Sequence, residues 1–345
     1  MNLPVKFMLN VTYPPITSYP QYAGPLSLIY ACENAKSWFC NTYIQLFTDH
    51  RNPISGGIRF RQELFLKYCP FFKMFALEDY RFFTDKNKLI NDIKKILSNN
   101  YAVAINVDRY FIPLIKNAYH FIHSVYIYGY DDEKQEFTIS DFVSESGSFT
   151  LTTIPYKNLQ ESLDSMNETD YTVKYSSNKF FIYLYDAHDF HYVFDIKKLC
   201  HELGDYYNCE NTMDVNCYEV YNLYKTKDNN VMWGIDVYNW LSEYLSEFKD
   251  SIDYHSIYVL LDHKKSMLLR IDYLESIHLL KDYLTLKQGY NELLNKIKVL
   301  LNLSIKYNLT RDKKIVDKMQ VEISVIKKLE KDMAYMFLES IQIES

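Results

Sequence analysis

The chain has 345 residues, of which 48% are hydrophobic, and a formal net charge of −6. This length fits one large domain or two smaller ones with a sizeable core. Nucleic-acid binding is disfavoured, because phosphate contacts require a basic surface. The 8 glycines form no phosphate-binding loop, and the six cysteines show no CxxC pair or other metal-ligand spacing. We therefore expect no cofactor and no metal.

The chain also carries no sign of a membrane or secreted protein. No run of about 18 apolar residues occurs, so we expect no membrane span. The N-terminal segment lacks the long apolar region of a secretory signal. Cysteines without a dense disulfide framework are typical of a reducing compartment, so we predict a cytoplasmic location.

The first half of the chain alternates between helix and strand patterns. Gly24 and Pro25 are typical of a turn. Apolar residues recur at helical spacing after them, which predicts a helix over residues 27–47. An amphipathic helix over 85–99 and an alternating strand over 101–107 follow. A helix followed by antiparallel strands indicates the α+β class.

A polar segment, residues 156–178, is predicted to be a loop that separates two domains. The first domain spans residues 1–178, and the second spans 179–345. The first residues of the second domain, 179–185, are predicted to form a strand that completes the sheet of the first.

Residues 123–141 predict a β-hairpin with a histidine at the start of one strand and an aspartate at the end of the next. The two strands are rich in β-branched and aromatic residues, and the turn between them is polar. Pairing about residue 132 sets His123 opposite Asp141 on one face, since side chains alternate along a strand. A carboxylate beside an imidazole fixes its tautomer and stabilises its protonated form. His120 falls off this face, so we prefer His123 as the second member of a catalytic triad.

The missing member of this triad is a nucleophile, which is often placed at the positive end of a helix. Ser27 lies at the predicted start of the first helix. Gln21 lies six positions earlier, where its amide could donate to a developing oxyanion beside a backbone N–H. Cys32 is a fallback nucleophile, but it lies more than one turn inside the helix and is better explained as a small buried apolar residue.

The order of Gln21, Ser27, His123 and Asp141 along the chain resembles that of the active-site residues in the papain-like cysteine peptidase superfamily. The segment HFIHSVYIYGYDDEKQEFTISDF resembles the His–Asp hairpin of the double-glycine leader peptidases. It is closer still to the N-terminal domain of butirosin biosynthesis protein H. The 33 tyrosines and the helical second half are also similar to the closthioamide-type polythioamide synthases. The motifs of this resemblance lie in the first half of the chain.

The resemblance implies a papain-like fold and an acyltransferase or amide synthase of natural-product biosynthesis. Such an enzyme moves an acyl group from a carrier-protein thioester to an amine. The implied roles are oxyanion donor for Gln21, nucleophile position for Ser27, base for His123 and orienting carboxylate for Asp141. The implied partners are an acyl- or peptidyl-carrier protein and a small amine or diamine acceptor, with no nucleic acid and no membrane. A cysteine-peptidase-like hydrolase and a catalytically inactive scaffold protein of a peptide-synthetase pathway remain alternatives.

One residue departs from the family pattern, which has a cysteine where this chain has Ser27. A serine hydroxyl is a much weaker nucleophile in a Cys–His site, because cysteine ionises far more readily. Three interpretations stay open: an experimental replacement of cysteine by serine, a natural pseudoenzyme, or a serine that acts as the nucleophile.

The second half of the chain is predicted to be a helical domain. Five segments show helical periodicity: 194–203, 235–248, 258–280, 289–307 and 312–341. In the last of them an apolar stripe is expected to be buried: Ile315, Met319, Ile323, Ile326, Leu329, Met333 and Met336.

Two polar clusters of the second half are interpreted as solvent-facing. His188, Asp189 and His191 are predicted to form a solvated loop rather than a metal site, since no further ligand lies at a suitable spacing. The run Asp262-His263-Lys264 is predicted to be the polar face of a helix.

Overall fold

The structure is a computed structural model, and it describes residues 3–49, 57–62, 68–77, 88–112, 120–142, 149–168, 182–212, 231–247 and 251–342. Within these ranges the chain combines an antiparallel sheet with a set of C-terminal helices, so the predicted α+β class is confirmed. It divides into two compact units. Unit 1 contains residues 1–35 and 67–191, and unit 2 contains residues 36–66 and 192–345. This division differs from the predicted boundary at residue 178.

Unit 1 is built on a seven-stranded antiparallel sheet. Its strands are β1 (Lys6–Met8), β4 (Phe72–Leu77), β5 (Tyr101–Asp108), β6 (Ile122–Asp131), β7 (Glu136–Phe142), β8 (Phe149–Pro155) and β9 (Ile182–Ala187). Six of them follow the order β4-β9-β5-β6-β7-β8, and β1 pairs with one end of β6. The predicted strands at 101–107, 123–128 and 137–140 are therefore confirmed, and β9 belongs to the sheet of unit 1.

Two amphipathic helices, α3 (Leu89–Ser98) and α4 (Tyr156–Glu168), cover one face of this sheet. Their apolar side chains share a core with inward-facing residues of the central strands: Leu89, Ile93, Leu97, Leu159, Leu163 and Met166 with Val103, Ile105, Val107, Val125, Ile127, Phe137 and Ile139. We call this the α3/α4 face. The prediction of a helix near 85–99 is confirmed. The prediction of a loop from residue 156 is wrong as far as residue 168, because leucines at helical spacing pack onto the sheet there; residues 169–178 lie outside the described ranges.

The first helix, α1, spans Pro20–Ile29 and covers the opposite face of the sheet. Its Gly24 lies against the ring of Tyr126, where an added Cβ would come within 2.4 Å of a ring carbon. The Tyr128 hydroxyl donates to the Gly24 carbonyl oxygen at 3.1 Å. Tyr126 and Tyr128 alternate with Val125 and Ile127 along β6, so their side chains point away from α3 and α4. We call this second surface the α1 face.

The predicted helix over 27–47 is wrong at both ends. Pro20 starts α1 because its fixed φ suits the first helical position and its missing N–H would be unpaired there in any residue. Gly24 is present for close packing against Tyr126 rather than for a turn. After α1 the chain forms a short helix, α2 (Ala35–Cys40), and then a strand, β2 (Leu46–Asp49).

Unit 2 contains β2, β3 (Gly57–Phe60) and the C-terminal helices. The helices are α5 (Ile196–Asn208), α6 (Val237–Glu247), α7 (His255–Ser276), α8 (Tyr283–Thr310) and α9 (Lys313–Ser340). All five predicted helical segments are thus confirmed. In the apolar stripe of α9, five of the seven residues are fully buried and the other two partly so. Along the described ranges, no helix carries an apolar stretch long enough to cross a membrane.

Arg270 explains why the segment after residue 36 belongs with the C-terminal helices. Its side chain is completely buried on α7 and donates to the carbonyl oxygens of Cys40 at 3.1 Å, Phe39 at 3.3 Å and Thr42. These carbonyls lie at the C-terminal end of α2, where a helix leaves acceptors unpaired and favours a positive charge.

His263 and Lys264 on α7 form a second buried polar cluster with Glu330 of α9. All three side chains are 0% exposed, and Asp262 is 1% exposed, so the prediction of a polar helix face is wrong for the whole run Asp262-His263-Lys264. His263 Nε2 contacts the Ile44 carbonyl oxygen at 2.9 Å and must donate to it, so Nδ1 accepts from Lys264 Nζ at 2.8 Å. Lys264 also pairs with Glu330. Burial and the adjacent Lys264 charge hold the pKa of His263 well below its usual range, which agrees with a neutral imidazole.

Candidate functional site

His123 and Asp141 lie next to each other at one end of the sheet, as predicted. His123 Nδ1 is 3.8 Å from Asp141 Oδ1, a separation that suits an ion pair but is too long for a hydrogen bond. The carboxylate is 1% exposed and the imidazole 25% exposed. Asp141 also accepts from the Phe142 backbone N–H at 2.7 Å and pairs with Arg109 Nε at 3.3 Å. The arrangement holds the carboxylate firmly beside the ring.

The predicted strand register of this hairpin is wrong by two residues. Ile127 pairs with Ile139, and a bulge between Ile127 and Gly129 shifts the pairing further along. His123 is therefore a diagonal neighbour of Asp141 rather than its direct partner. A shift of two keeps both side chains on the same face, whereas a shift of one would have separated them. That face is the α3/α4 face, because Val125 and Ile139 belong to its core.

The structure does not bring Ser27 to this pair. Ser27 lies in the last turn of α1 rather than at its start, and its hydroxyl donates to the Ala23 carbonyl oxygen at 2.8 Å. The Tyr128 hydroxyl donates to the Gly24 carbonyl oxygen of the same helix, so this part of α1 lies on the α1 face of the sheet. Five residues of β6 separate Tyr128 from His123, which is about 16 Å along the strand. Ser27 and His123 therefore lie on opposite faces of the sheet and far apart along it.

Gln21 is in the first turn of α1, at the positive end of the helix, and its side chain is half-buried. Six residues separate it from Ser27, which corresponds to about 9 Å along the helix axis. Its amide and the Ser27 hydroxyl therefore cannot hold the same reacting carbonyl group. The residues at the helix start, Tyr19, Pro20 and Gln21, include no thiol and no aliphatic hydroxyl.

The described cysteines offer no replacement nucleophile. Burial, reinforced by the Asp189 carboxylate, raises the pKa of Cys32 to about 11. Burial raises the pKa of Cys40 and of Cys69 to about 12, and it also raises the pKa of Cys200 and Cys209. Only the thiolate is a nucleophile, so burial disfavours all five cysteines as nucleophiles. Cys217 lies outside the described residues.

A second histidine–aspartate pair, Asp108 and His120, lies at the same end of the sheet. His120 Nδ1 is 2.7 Å from Asp108 Oδ2, and the carboxylate is completely buried. Asp108 also accepts from the backbone N–H groups of Tyr110 and Phe121 and from the Ser165 hydroxyl. The imidazole is 39% exposed. The contact between His120 and Asp108 is thus 1.1 Å shorter than that between His123 and Asp141 (3.8 − 2.7 Å).

Sequence reasoning set His120 aside because it does not share a face with Asp141. The signal for its true partner was present: Asp108 ends β5, and antiparallel pairing places the end of β5 beside the start of β6. Asp108 is paired with Ile122, two residues after His120.

The segment with His188, Asp189 and His191 is exposed and irregular, which confirms the predicted loop. Asp189 Oδ1 accepts from the Glu33 backbone N–H at 3.1 Å, so the carboxylate has a structural role. Across the ranges that the structure describes, no group of three or more His, Cys, Asp or Glu side chains could hold a metal ion.

Asp141 gives a pH-dependent prediction. Burial, opposed by Arg109 and the Phe142 N–H, raises the pKa of its carboxyl from 3.8 to about 6. A raised pKa in the folded state means that stability is fully present below pH 3.8 and is lost as the pH rises through 6. Relative to Asp141→Asn, the wild-type free energy of unfolding should fall by about 2.5 kcal/mol from pH 4 to pH 8. Urea unfolding of both proteins across this range tests it, and parallel pH curves would contradict it.

A scan of the chain against protein-family models gives no match, and a search of the curated proteins gives none either.

Proposed function

We propose that this chain is a catalytically inactive scaffold protein of a carrier-dependent biosynthetic pathway, built on a papain-like first unit. The papain-like assignment is supported by the order of the elements, an N-terminal helix against a sheet whose later strands carry a histidine and an aspartate. The carrier-dependent pathway is supported by the resemblance of residues 120–142 to the butirosin biosynthesis group.

The position of Ser27 is the observation that supports a catalytically inactive protein. An acyl-enzyme mechanism needs the nucleophile within hydrogen-bond reach of its base. Ser27 is bonded to Ala23 inside α1 and lies on the face opposite His123. A cysteine at position 27 would lie on the same face of the sheet as Ser27. An experimental replacement of cysteine by serine therefore does not explain why residue 27 is far from His123. The cysteine-peptidase alternative needs the same nucleophile and loses its support for the same reason.

A covalent labelling experiment tests this proposal. The wild-type protein and the Ser27→Cys variant are incubated at pH 7.5 with a short acyl thioester, with and without a diamine. We expect no acyl adduct in the intact mass spectrum and no amide product for either protein, because neither nucleophile can reach His123. An adduct on residue 27, or amide formed faster than in buffer, would refute the inactive scaffold.

A second candidate function, amide formation without an acyl-enzyme, is favoured by the His120–Asp108 pair. A buried carboxylate on Nδ1 orients an imidazole as a general base, and such a base could accept the proton of an amine that attacks a carrier thioester directly. The diamine arm of the same experiment separates the two functions. Amide product that appears with the wild type but is lost in His120→Gln would favour this second candidate.

A further inference from the structure

The turn between α8 and α9 concentrates positive charge in a chain that is acidic as a whole. Residues 306–318 contain five cationic side chains, Lys306, Arg311, Lys313, Lys314 and Lys318, and two acidic ones, Asp312 and Asp317. The net charge of this segment is +3 (5 − 2), against −6 for the chain. Asp312 caps α9 by accepting from the Lys314 backbone N–H at 3.0 Å, so its carboxylate is engaged within the turn.

The same turn exposes two aliphatic side chains. Leu309 is 81% exposed, and Ile305, one helical turn earlier on the same face of α8, is 40% exposed. Lys306 lies beside both residues, and Lys313 and Lys314 begin the next helix after a two-residue connection. All three lysines are exposed. We call Ile305, Lys306, Leu309, Arg311, Lys313 and Lys314 the hairpin tip.

We propose that the hairpin tip is a docking surface for an acidic carrier protein, an inference that rests on the proposed scaffold function. An apolar centre with an excess of positive charge around it has the composition of a protein interface with a charged rim, and the excess charge favours a partner of opposite sign. The partner surface would present carboxylates around an aliphatic patch. The tip has no exposed aromatic side chain, and two aliphatic residues are little for a membrane anchor, which usually adds Trp or Phe. A protein partner therefore fits better than a lipid surface.

Binding of a purified holo acyl-carrier protein to the full-length chain, measured by biolayer interferometry at low salt, tests this inference. The tip variant is Lys306→Glu/Lys313→Glu/Lys314→Glu. The matched control, Lys298→Glu/Lys328→Glu/Lys331→Glu, makes the same change in net charge at exposed positions of the same two helices. We expect the Kd to rise by about tenfold or more in the tip variant and by less than about twofold in the control. Leu309→Ala should weaken binding without changing its salt dependence.

Several outcomes would overturn the inference. Equal weakening in both triple variants would show a long-range charge effect rather than a docking surface. Undiminished binding by the tip variant would refute the docking surface and leave the scaffold function standing. No carrier binding by the wild type would count against both. Binding of the wild type to vesicles containing phosphatidylglycerol, with no binding to the carrier, would assign the tip to a membrane instead.

Discussion

Replacing Lys264 with methionine should lower the free energy of unfolding by about 3–5 kcal/mol. Lys264 and Glu330 are both completely buried and paired with each other in unit 2. Glu330 also accepts from the hydroxyls of Tyr206 at 3.0 Å and Tyr238 at 3.4 Å. Removal of the Lys264 ammonium leaves the Glu330 carboxylate buried without its paired cation. The hydroxyls of the two tyrosines stabilise this negative charge only in part. The loss would be measured by guanidinium unfolding at pH 7.

Two further variants make this prediction specific. Lys264→Met/Glu330→Gln removes both charges and should be more stable than the single variant by about 2 kcal/mol, because no unpaired charge remains. Lys327→Met breaks a half-exposed ion pair with Asp236, 2.8 Å long, and should change stability by less than about 1 kcal/mol. A Lys264→Met protein as stable as the Lys327→Met control would refute the buried pair.

Two glycine-to-alanine substitutions should change stability in opposite directions. At Gly24 an added Cβ would come within 2.4 Å of the Tyr126 ring, which is 4% exposed and has no room to move. Overpacking of this kind costs about 1–3 kcal/mol. At Gly204, inside α5, an added Cβ meets no atom of the described residues within 4 Å, so alanine should stabilise the helix by about 0.5–1 kcal/mol.

The chemical change is the same at both glycines, so their difference reports packing alone. Thermal unfolding of Gly24→Ala, Gly204→Ala and Gly24→Ala/Tyr126→Leu measures it. The double variant should lose less stability than the sum of its two single variants, because the leucine removes the ring that the new methyl group strikes. A neutral Gly24→Ala variant would mean that α1 does not pack on Tyr126.

The sequence predicted the elements whose pattern is local. The helices of unit 2 and the hairpin of β6 and β7 have apolar residues at regular spacing over many positions. The sequence also contains a sign of the buried pair of Lys264 and Glu330. Glu330 interrupts the apolar stripe of α9 between Ile326 and Met333, where a charge is expected only if it is paired.

The errors came from contacts between distant parts of the chain. Gly24 and Pro25 look like a turn, but the ring that requires Gly24 is about a hundred residues later. The strands β1, β2 and β3 have only three or four residues each, too few to show a period. The register at the turn, where Asp131 pairs with Glu136, already differs by three residues from the one that placed His123 opposite Asp141, and the bulge after Ile127 reduces this difference to two. Sequence order also cannot say which face of the sheet a helix covers, and α1, with Ser27, covers the face opposite His123.

A short bifunctional thiol crosslinker tests whether Ser27 and His123 lie on opposite faces of one sheet. The Tyr128 hydroxyl contacts both the Gly24 carbonyl oxygen and the Ser140 hydroxyl at 3.1 Å, so Ser140 lies beside α1, less than one helical turn from Ser27. Both serines are buried, so a stoichiometric amount of a methanethiosulfonate reagent with a two-carbon spacer is added as the reduced protein refolds, and it should bridge Ser27→Cys/Ser140→Cys, as identified by peptide mass mapping. It should not bridge Ser27→Cys/His123→Cys under the same conditions. A bridge between residues 27 and 123, with none between 27 and 140, would contradict the account and restore the triad.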